Sequence, residues 1–317
     1  MLSEETNRKI ISILEKRKPK KVAITVPEGM KADLKKIAKI IESCNCSAAM
    51  IVEPCFGACD LRDYEAKMLG CDLLLHFGHS DFGLRPIIPT EYIECFSDFC
   101  ALEILKNGLK NLVKYKKIAL CSVIQHALKL EEIKKFLEQN GKTVFVPQSK
   151  KTKYPGQILG CDCSGIEALG NEIDCALFIG SGMFHPLRLL ERISVPVLCV
   201  GPDKTGILDI TKKKDMLLRR KIIRQKKFEY AQKIGLIASF KRGQFKKNIF
   251  ELKEKIEREG KTVYLLAMDF IAKEKMLGLD VDMIVNTACP RIEEDDIFDV
   301  PIINVEDICF SATKTLN

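Results

Sequence analysis

The chain has 317 residues, is 46% hydrophobic and carries a formal net charge of +8, enough apolar content for several small cores rather than one large one. No apolar run approaches the roughly 20 residues of a membrane helix, and the opening MLSEETNRKIISILEKRK reads as a polar amphipathic helix and not a secretory leader, so a soluble cytoplasmic protein is expected. Fourteen cysteines in such a chain point to a reducing compartment and not to a disulfide framework.

After that helix, the pattern predicts a strand over Lys21–Val26, a turn at Pro27-Glu28-Gly29 and a charged amphipathic helix. Further apolar runs begin at Ser47 (SAAMIVEP), Asp72 (DLLLHFGHS) and Arg85 (RPIIP). The same set of four returns at Lys117 (KIALCS), Gly141 (GKTVFVPQ), Asp174 (DCALFIGSG) and Val195 (VPVLCV), and again at Lys233 (KIGLIA), Gly260 (GKTVYLLA), Asp282 (DMIVNTACP) and Val300 (VPIINV). Asp72, Asp174 and Asp282 are spaced by 102 and 108 residues, a period too long for a solenoid.

Short runs of Val, Ile and Leu alternating with helices indicate parallel strands joined by crossover helices. The expected fold class is α/β: three homologous small Rossmann-like domains, each a mostly parallel four-stranded sheet with flanking helices, arranged with pseudo-threefold symmetry. The repeats are expected at residues 1–111, 112–206 and 207–317. The stretch 212–227, nine basic residues against Asp215, reads as a helix linking the second and third repeats. A solvated face is its default, and docking of an acidic protein or ribosomal RNA the sharper reading.

In open parallel sheets ligands sit beyond the carboxyl ends of the strands. Cys59 and Cys161 each stand 13 residues before a third-strand aspartate, at or just before short helices read over 60–69 and 164–169, where a helix dipole favours a thiolate. The third repeat has Asp269 at that position. Its cysteine is Cys289, seven residues past Asp282, where the other repeats carry His79 and Ser181. If the repeats surround one axis, the three thiols meet, and three thiolates suit a [4Fe–4S] cluster with one iron open to substrate. A structural zinc site is the alternative, although zinc normally pairs close ligands, as in CxxC.

Cys163, two residues from Cys161, could also reach a cluster, but the 13-residue equivalence selects Cys161. Cys55 and the remaining cysteines read as small core residues. His79 and His185 follow third strands and point to the same cleft, so they are the candidate catalytic side chains, whereas His76 lies in a strand run and reads as a core histidine. There is no full GxGxxG or Walker A pattern, and no nucleotide triphosphate site is expected.

The strings Gly57-Ala58-Cys59-Asp60-Leu61, Gly156 to Cys161 (GQILGC) and Asn286 to Ile292 (NTACPRI) resemble the cysteine motifs of the archaeal diphthamide-synthesis enzymes, the 2-(3-amino-3-carboxypropyl)histidine synthases. Supporting matches are Pro27-Glu28-Gly29, His76 to Ser80, Phe184 to Leu187 and Arg242-Gly243-Gln244, so the resemblance runs nearly end to end. It implies that Cys59, Cys161 and Cys289 ligate the cluster. The implied reaction cleaves S-adenosylmethionine at the sulfur to γ-carbon bond and adds the resulting 3-amino-3-carboxypropyl radical to C2 of a histidine in elongation factor 2, releasing methylthioadenosine. It further implies a homodimer and an external electron donor, with no membrane and no direct nucleic-acid readout. Gly29, Gln244 and Arg291 are the expected contacts to S-adenosylmethionine, the arginine through a bidentate fork on its carboxylate. Two other readings remain: a quinolinate synthase-like cluster enzyme acting on small acids, and a non-catalytic cluster-bearing sensor or scaffold.

Overall fold

The structure, a computed structural model, describes residues 3–295 and 297–310. Three units follow one another, each opened by a helix. The first holds α1 (Glu4–Arg17), β1 (Lys21–Thr25), α2 (Leu34–Ser43), β2 (Ser47–Met50), α3 (Asp63–Met68), β3 (Leu73–Phe77) and β4 (Thr90–Ile93). The second holds α4 (Leu102–Gly108), β5 (Lys117–Ser122), α5 (Leu130–Gln139), β6 (Thr143–Phe145), α6 (Ser164–Glu167), β7 (Cys175–Ile179), α7 (Phe184–Arg192), β8 (Val197–Val200) and β9 (Leu208–Asp209). The third holds α8 (Lys213–Tyr230), β10 (Lys233–Ser239), α9 (Ile249–Glu257), β11 (Thr262–Met268), β12 (Met283–Asn286), α10 (Arg291–Glu294) and β13 (Ile302–Asn304).

The sheets run β2-β1-β3-β4, β6-β5-β7-β8-β9 and β11-β10-β12-β13. Every pairing is parallel except β8 with β9, a fifth, antiparallel strand that the repeat pattern did not announce. The central strands are buried on both faces: β3 and β7 throughout, and β1 and β5 beyond their first residue. That is why they read as continuous apolar runs. Separate cores lie on the two faces of each sheet, for example Ile24, Ile37, Ile41, Leu75 and Phe77 on one face of the first and Ala23, Leu61, Ala66 and Leu74 on the other.

The repeated aspartates have a mechanical task. Asp72 accepts from the N–H groups of Lys20 and Lys21 at 2.8 and 2.9 Å, Asp174 from Lys116 and Lys117 at 2.7 and 2.8 Å, and Asp282 from Gln232 and Lys233 at 2.9 and 2.7 Å. Each carboxylate caps the start of its unit's first strand from the start of the third. These bonds hold all three carboxyls below the ordinary range.

Two expectations need correction. The fourth strand of the first unit is Thr90–Ile93, not the run from Arg85. Pro86 and Pro89 supply no N–H for a ladder, and Pro89 is the true counterpart of Pro196 and Pro301: their carbonyls accept from Leu74, Ala176 and Ile284, each at 2.9 Å. The boundaries also shift. Ala101 and Leu105, within the range expected for the first repeat, pack in the core of the second unit with Leu112, Ile118 and Leu120, and Leu208–Asp209, within the range expected for the third, joins the second sheet. Helices α1 and α4 each precede a first strand and pack with the unit that follows. Helix α8 bridges instead, with Leu217 in a core of the second unit and Phe228 in one of the third. Among the described residues no helix is long and apolar enough to cross a membrane.

Candidate functional site

Loops at the carboxyl ends of all three sheets surround one cavity of about 500 Å³, and Cys59, Cys161 and Cys289 all line it. His79 and Ser181, the counterparts of Cys289 in the other two units, line it as well. The repeat register therefore brings two sets of equivalent loop positions to one place: Cys59 with Cys161, and His79 with Ser181 and Cys289.

The Cys59 loop is gripped from the third unit. Lys241 donates to the Asp60 carboxylate at 2.6 Å, with both side chains buried. Arg62 reaches Asp60, Glu65 and Asp269 at 3.1, 3.0 and 2.7 Å, and Arg242 pairs with Asp63. Asp269, which occupies the third unit's counterpart of the thiol position, has thus become an anchor for Arg62. The Gly243 N–H donates to the Cys59 carbonyl at 2.9 Å. A Cβ on Gly243 would lie 2.5 Å from both Cα and Cβ of Cys59, so only glycine permits this approach. Phe56 stacks on Phe270 at 6.0 Å between ring centroids, with the Lys241 ammonium over its face.

Gln244 extends the grip to sulfur: its Nε2 donates to Cys59 Sγ at 3.4 Å and its Oε1 accepts from Ser239 at 3.3 Å. The Arg242-Gly243-Gln244 motif, expected at the sulfonium substrate, is placed on the Cys59 loop. On the second unit, Leu159 and Asp162 exchange backbone hydrogen bonds at 2.9 and 3.0 Å, turning Cys161 into the cavity. Cys163 points the other way: it is fully buried in a hydrophobic core and donates to the Leu159 carbonyl at 3.3 Å. The Cys289 carbonyl accepts from Asn286 at 2.8 Å, and Asn286 is fixed in turn by Asn304 at 2.7 Å.

Burial raises the Cys59 thiol to about 11, with the Gln244 bond opposing and the neighbouring Cys161 reinforcing the rise. Burial, with Cys59 and Cys161 alongside, raises Cys289 to about 12. Cys161 is raised too, again by desolvation. This corrects the expectation of helix-stabilised thiolates: Cys59 stands four residues before α3 and Cys161 three before α6, and loss of hydration outweighs so short a helix. Such a donor set, three convergent thiols in a partly apolar chamber, fits an iron–sulfur cluster.

His79 and His185 both line the cavity. His79 Nδ1 lies 3.1 Å from His76 Nε2, and His76 Nδ1 lies 3.0 Å from the Thr25 hydroxyl. His185 is held between Phe178 and Phe184. Burial lowers both to about 4, helped at His185 by the charge of Arg291. Gly78, at φ +78°, turns the chain toward His79 with the Pro27 ring against it, so a Cβ there would meet Pro27 Cγ at 2.5 Å. The Pro27-Glu28-Gly29 motif acts through that proline. Gly29 is exposed, lies outside the cavity lining, and a Cβ there would meet nothing within 4 Å, so no close approach to a ligand requires it.

Arg291 is largely exposed, 3.4 Å from Asp295 and over the Phe184 ring at 5.7 Å, beside the cavity rather than in its wall. Lys151, absent from the sequence expectations, does line the wall, its backbone N–H held by Asp162 at 2.6 Å. Gln157 was quoted only as part of a motif; it also lines the cavity and donates to Ser80 at 2.9 Å, joining the second unit to the first. Of the other cysteines, Cys55 is buried as expected, with a thiol raised to about 12 by desolvation and then by Asp60, but Cys100 and Cys309 are exposed and not core residues.

Comparison with known proteins gives concordant results. Residues 26–314 match the family model described as diphthamide synthesis protein. The 2-(3-amino-3-carboxypropyl)histidine synthase of Pyrococcus horikoshii is 34% identical over 302 residues, covering 93% of this chain and 86% of the relative. That of Methanocaldococcus jannaschii is 32% identical over 329 residues, covering 96% and 88%. The crystal structure of Dph2 from Pyrococcus horikoshii with a 4Fe-4S cluster superposes with a TM-score of 0.90 at 30% identity, over 97% of this chain and 90% of that one.

Proposed function

The chain belongs to the diphthamide synthesis protein family, and from that premise we propose that it transfers the 3-amino-3-carboxypropyl group of S-adenosylmethionine to C2 of a histidine in elongation factor 2, releasing methylthioadenosine. The observation that carries the reading is the meeting of Cys59, Cys161 and Cys289, one from each unit, in a single cavity. Those three thiols would hold a [4Fe–4S] cluster. When bound, such a cluster supplies the electron for sulfonium cleavage and an open coordination position.

The chain's own groups do the rest. Gln244 tunes and orients the Cys59 sulfur by its hydrogen bond. Phe56, Phe82 and Phe184 give the chamber apolar walls, which keep water from a reactive carbon radical. Lys151 brings a cationic side chain to the wall that can meet the substrate carboxylate, with Arg291 as a second cation beside Phe184. His185, neutral at pH 7, supports an adjacent cationic substrate without repelling it. The acceptor protein must present its histidine to this chamber, and the basic helix α8, exposed over most of its length, suits an acidic partner surface. The working unit in this reading is a cytoplasmic homodimer served by an external electron donor.

Anaerobically reconstituted, reduced protein incubated with S-adenosylmethionine and elongation factor 2 should yield methylthioadenosine and a histidine bearing one 3-amino-3-carboxypropyl group. Quinolinate formed from iminoaspartate and dihydroxyacetone phosphate would favour the quinolinate synthase-like reading instead, and neither product would favour a scaffold.

A further inference from the structure

The proposed transfer sets a proton problem. A sulfonium and a neutral imidazole become a neutral thioether, a substituted imidazole and one proton. The new bond from carbon to C2 makes a ring radical. Aromaticity returns when one electron passes to a one-electron oxidant of the iron–sulfur class, replacing the electron spent on cleavage, and the C2–H bond breaks, its electron pair staying in the ring. That proton is released inside the chamber and needs an acceptor there.

Resting on the transfer reading, we propose that His79 accepts the C2 proton on Nε2, and that His76 and Thr25 are positioning residues that keep the lone pair of that nitrogen facing the cavity. Thr25 and His76 are fully buried on adjacent strands β1 and β3, paired in register. Their contact at 3.0 Å and the 3.1 Å contact from His76 Nε2 to His79 Nδ1 form one chain that ends at the cavity wall. With Nδ1–H of His76 donating to the Thr25 hydroxyl, His76 Nε2 is an acceptor, His79 Nδ1 carries the proton, and His79 Nε2 is left as the base.

Burial keeps the His79 ring unprotonated at neutral pH, and a modest base suffices because rearomatisation drives the loss. His185, the other cavity histidine, is held among the described residues by ring contacts with Phe178 and Phe184 rather than by a hydrogen-bonded chain, so its tautomer is not set in the same way.

The test separates cleavage from transfer. In His79→Phe, and in His79→Asn should the first variant fold poorly, methylthioadenosine release should stay near the wild-type rate while modified histidine falls about 100-fold, the usual weight of a general base. Deuterium at C2 of the acceptor should then slow product formation in the variant and not in wild type. His76→Phe should uncouple in the same way, and His76→Gln, which retains an acceptor toward His79, should restore coupling. Equal loss of both products, or unchanged coupling, overturns the inference. Absence of methylthioadenosine from wild type overturns the transfer reading instead. The ¹⁵N imidazole spectrum of the metal-free chain at pH 7 is an independent readout: His79 protonated on Nδ1 supports the chain of bonds, and protonation on Nε2 overturns it.

Discussion

Cys59 and Cys161 occupy the same repeat position, yet they are held in opposite ways. The Cys59 loop depends on another unit: Lys241, Arg242, Gly243 and Gln244 all come from the loop after β10. The Cys161 loop holds itself, through the paired backbone bonds of Leu159 and Asp162 and the Asp162 bonds to the Lys151 and Ser164 N–H groups at 2.6 and 3.1 Å. Duplication supplied the positions, but each unit solved the anchoring with its own neighbours. The thiol in the first unit is therefore a reporter of docking between units, and the thiol in the second a reporter of local loop structure.

Removing the sulfurs should have the largest effect. Cys59→Ala, Cys161→Ala and Cys289→Ala should each abolish the visible iron chromophore after anaerobic reconstitution, while Cys163→Ala should keep it and lose only core packing. Loss of the chromophore in Cys163→Ala with Cys161→Ala intact would reverse the choice between those neighbours. Lys241→Met comes next. It strips a buried ammonium from Asp60, a change that costs about 3–5 kcal/mol for a buried pair. Chemical denaturation should show that loss, and iron content should fall with it, because the Cys59 loop is released from the third unit.

The cavity histidines extend the contrast. His79 is fixed by a chain of hydrogen bonds and His185 by an aromatic sandwich, and burial depresses both to about 4. Between that value and the ordinary histidine range near 6.5 the unfolded chain binds more protons than the folded one, so stability rises with pH across this window and is lost as pH falls through it. Each ring should contribute on the order of 2–3 kcal/mol to that change. His185→Phe should flatten the slope in urea unfolding measured between pH 5 and 7, leaving the His79 share in place. An unchanged slope would mean that His185 is not buried in its neutral form.

Gly243→Ala should cost about 1–3 kcal/mol, the usual penalty of overpacking, since its methyl group would collide with the Cys59 backbone. The diagnostic result is a loss of iron binding greater than the loss of stability. Normal iron content in a destabilised Gly243→Ala protein would show that the close approach serves folding alone.

What was legible in the sequence follows from which forces leave periodic marks. Central strands buried on both faces show as apolar runs, so three sheets and the repeat register could be read directly, together with the helix expected over 212–227 and found at Lys213–Tyr230. The fourth strand of the first unit was misplaced because RPIIP is apolar but contains prolines that cannot join a ladder, while the polar TEYI forms the strand. The Cys59 anchor left no local trace. Asp60, Arg62, Lys241 and Asp269 are separated by up to 209 residues, and only the packing of the first unit against the third reveals them. Asp269 was visible as a break in the thiol pattern, although its partner Arg62 was not. Thiol ionisation was misread because sequence shows the nearby helix start and hides the desolvation that the surrounding loops impose on each sulfur.

The smallest effect sharpens the comparison from the other side. Asp162 is buried, and although burial raises its carboxyl, the hydrogen bonds from Ser164 and the Lys151 backbone prevail and hold it below the ordinary range. Asp162→Ala should therefore cost about 1.5–3 kcal/mol at neutral pH, the scale of hydrogen bonds to a charged group, and less if water reaches the freed N–H groups. Iron content should stay near wild type, because the reciprocal backbone bonds at residues 159 and 162 do not involve the side chain. Should Asp162→Ala lose its chromophore as completely as Lys241→Met, the Cys161 loop would not be self-supporting, and the two anchoring modes would reduce to one shared dependence on the whole chamber.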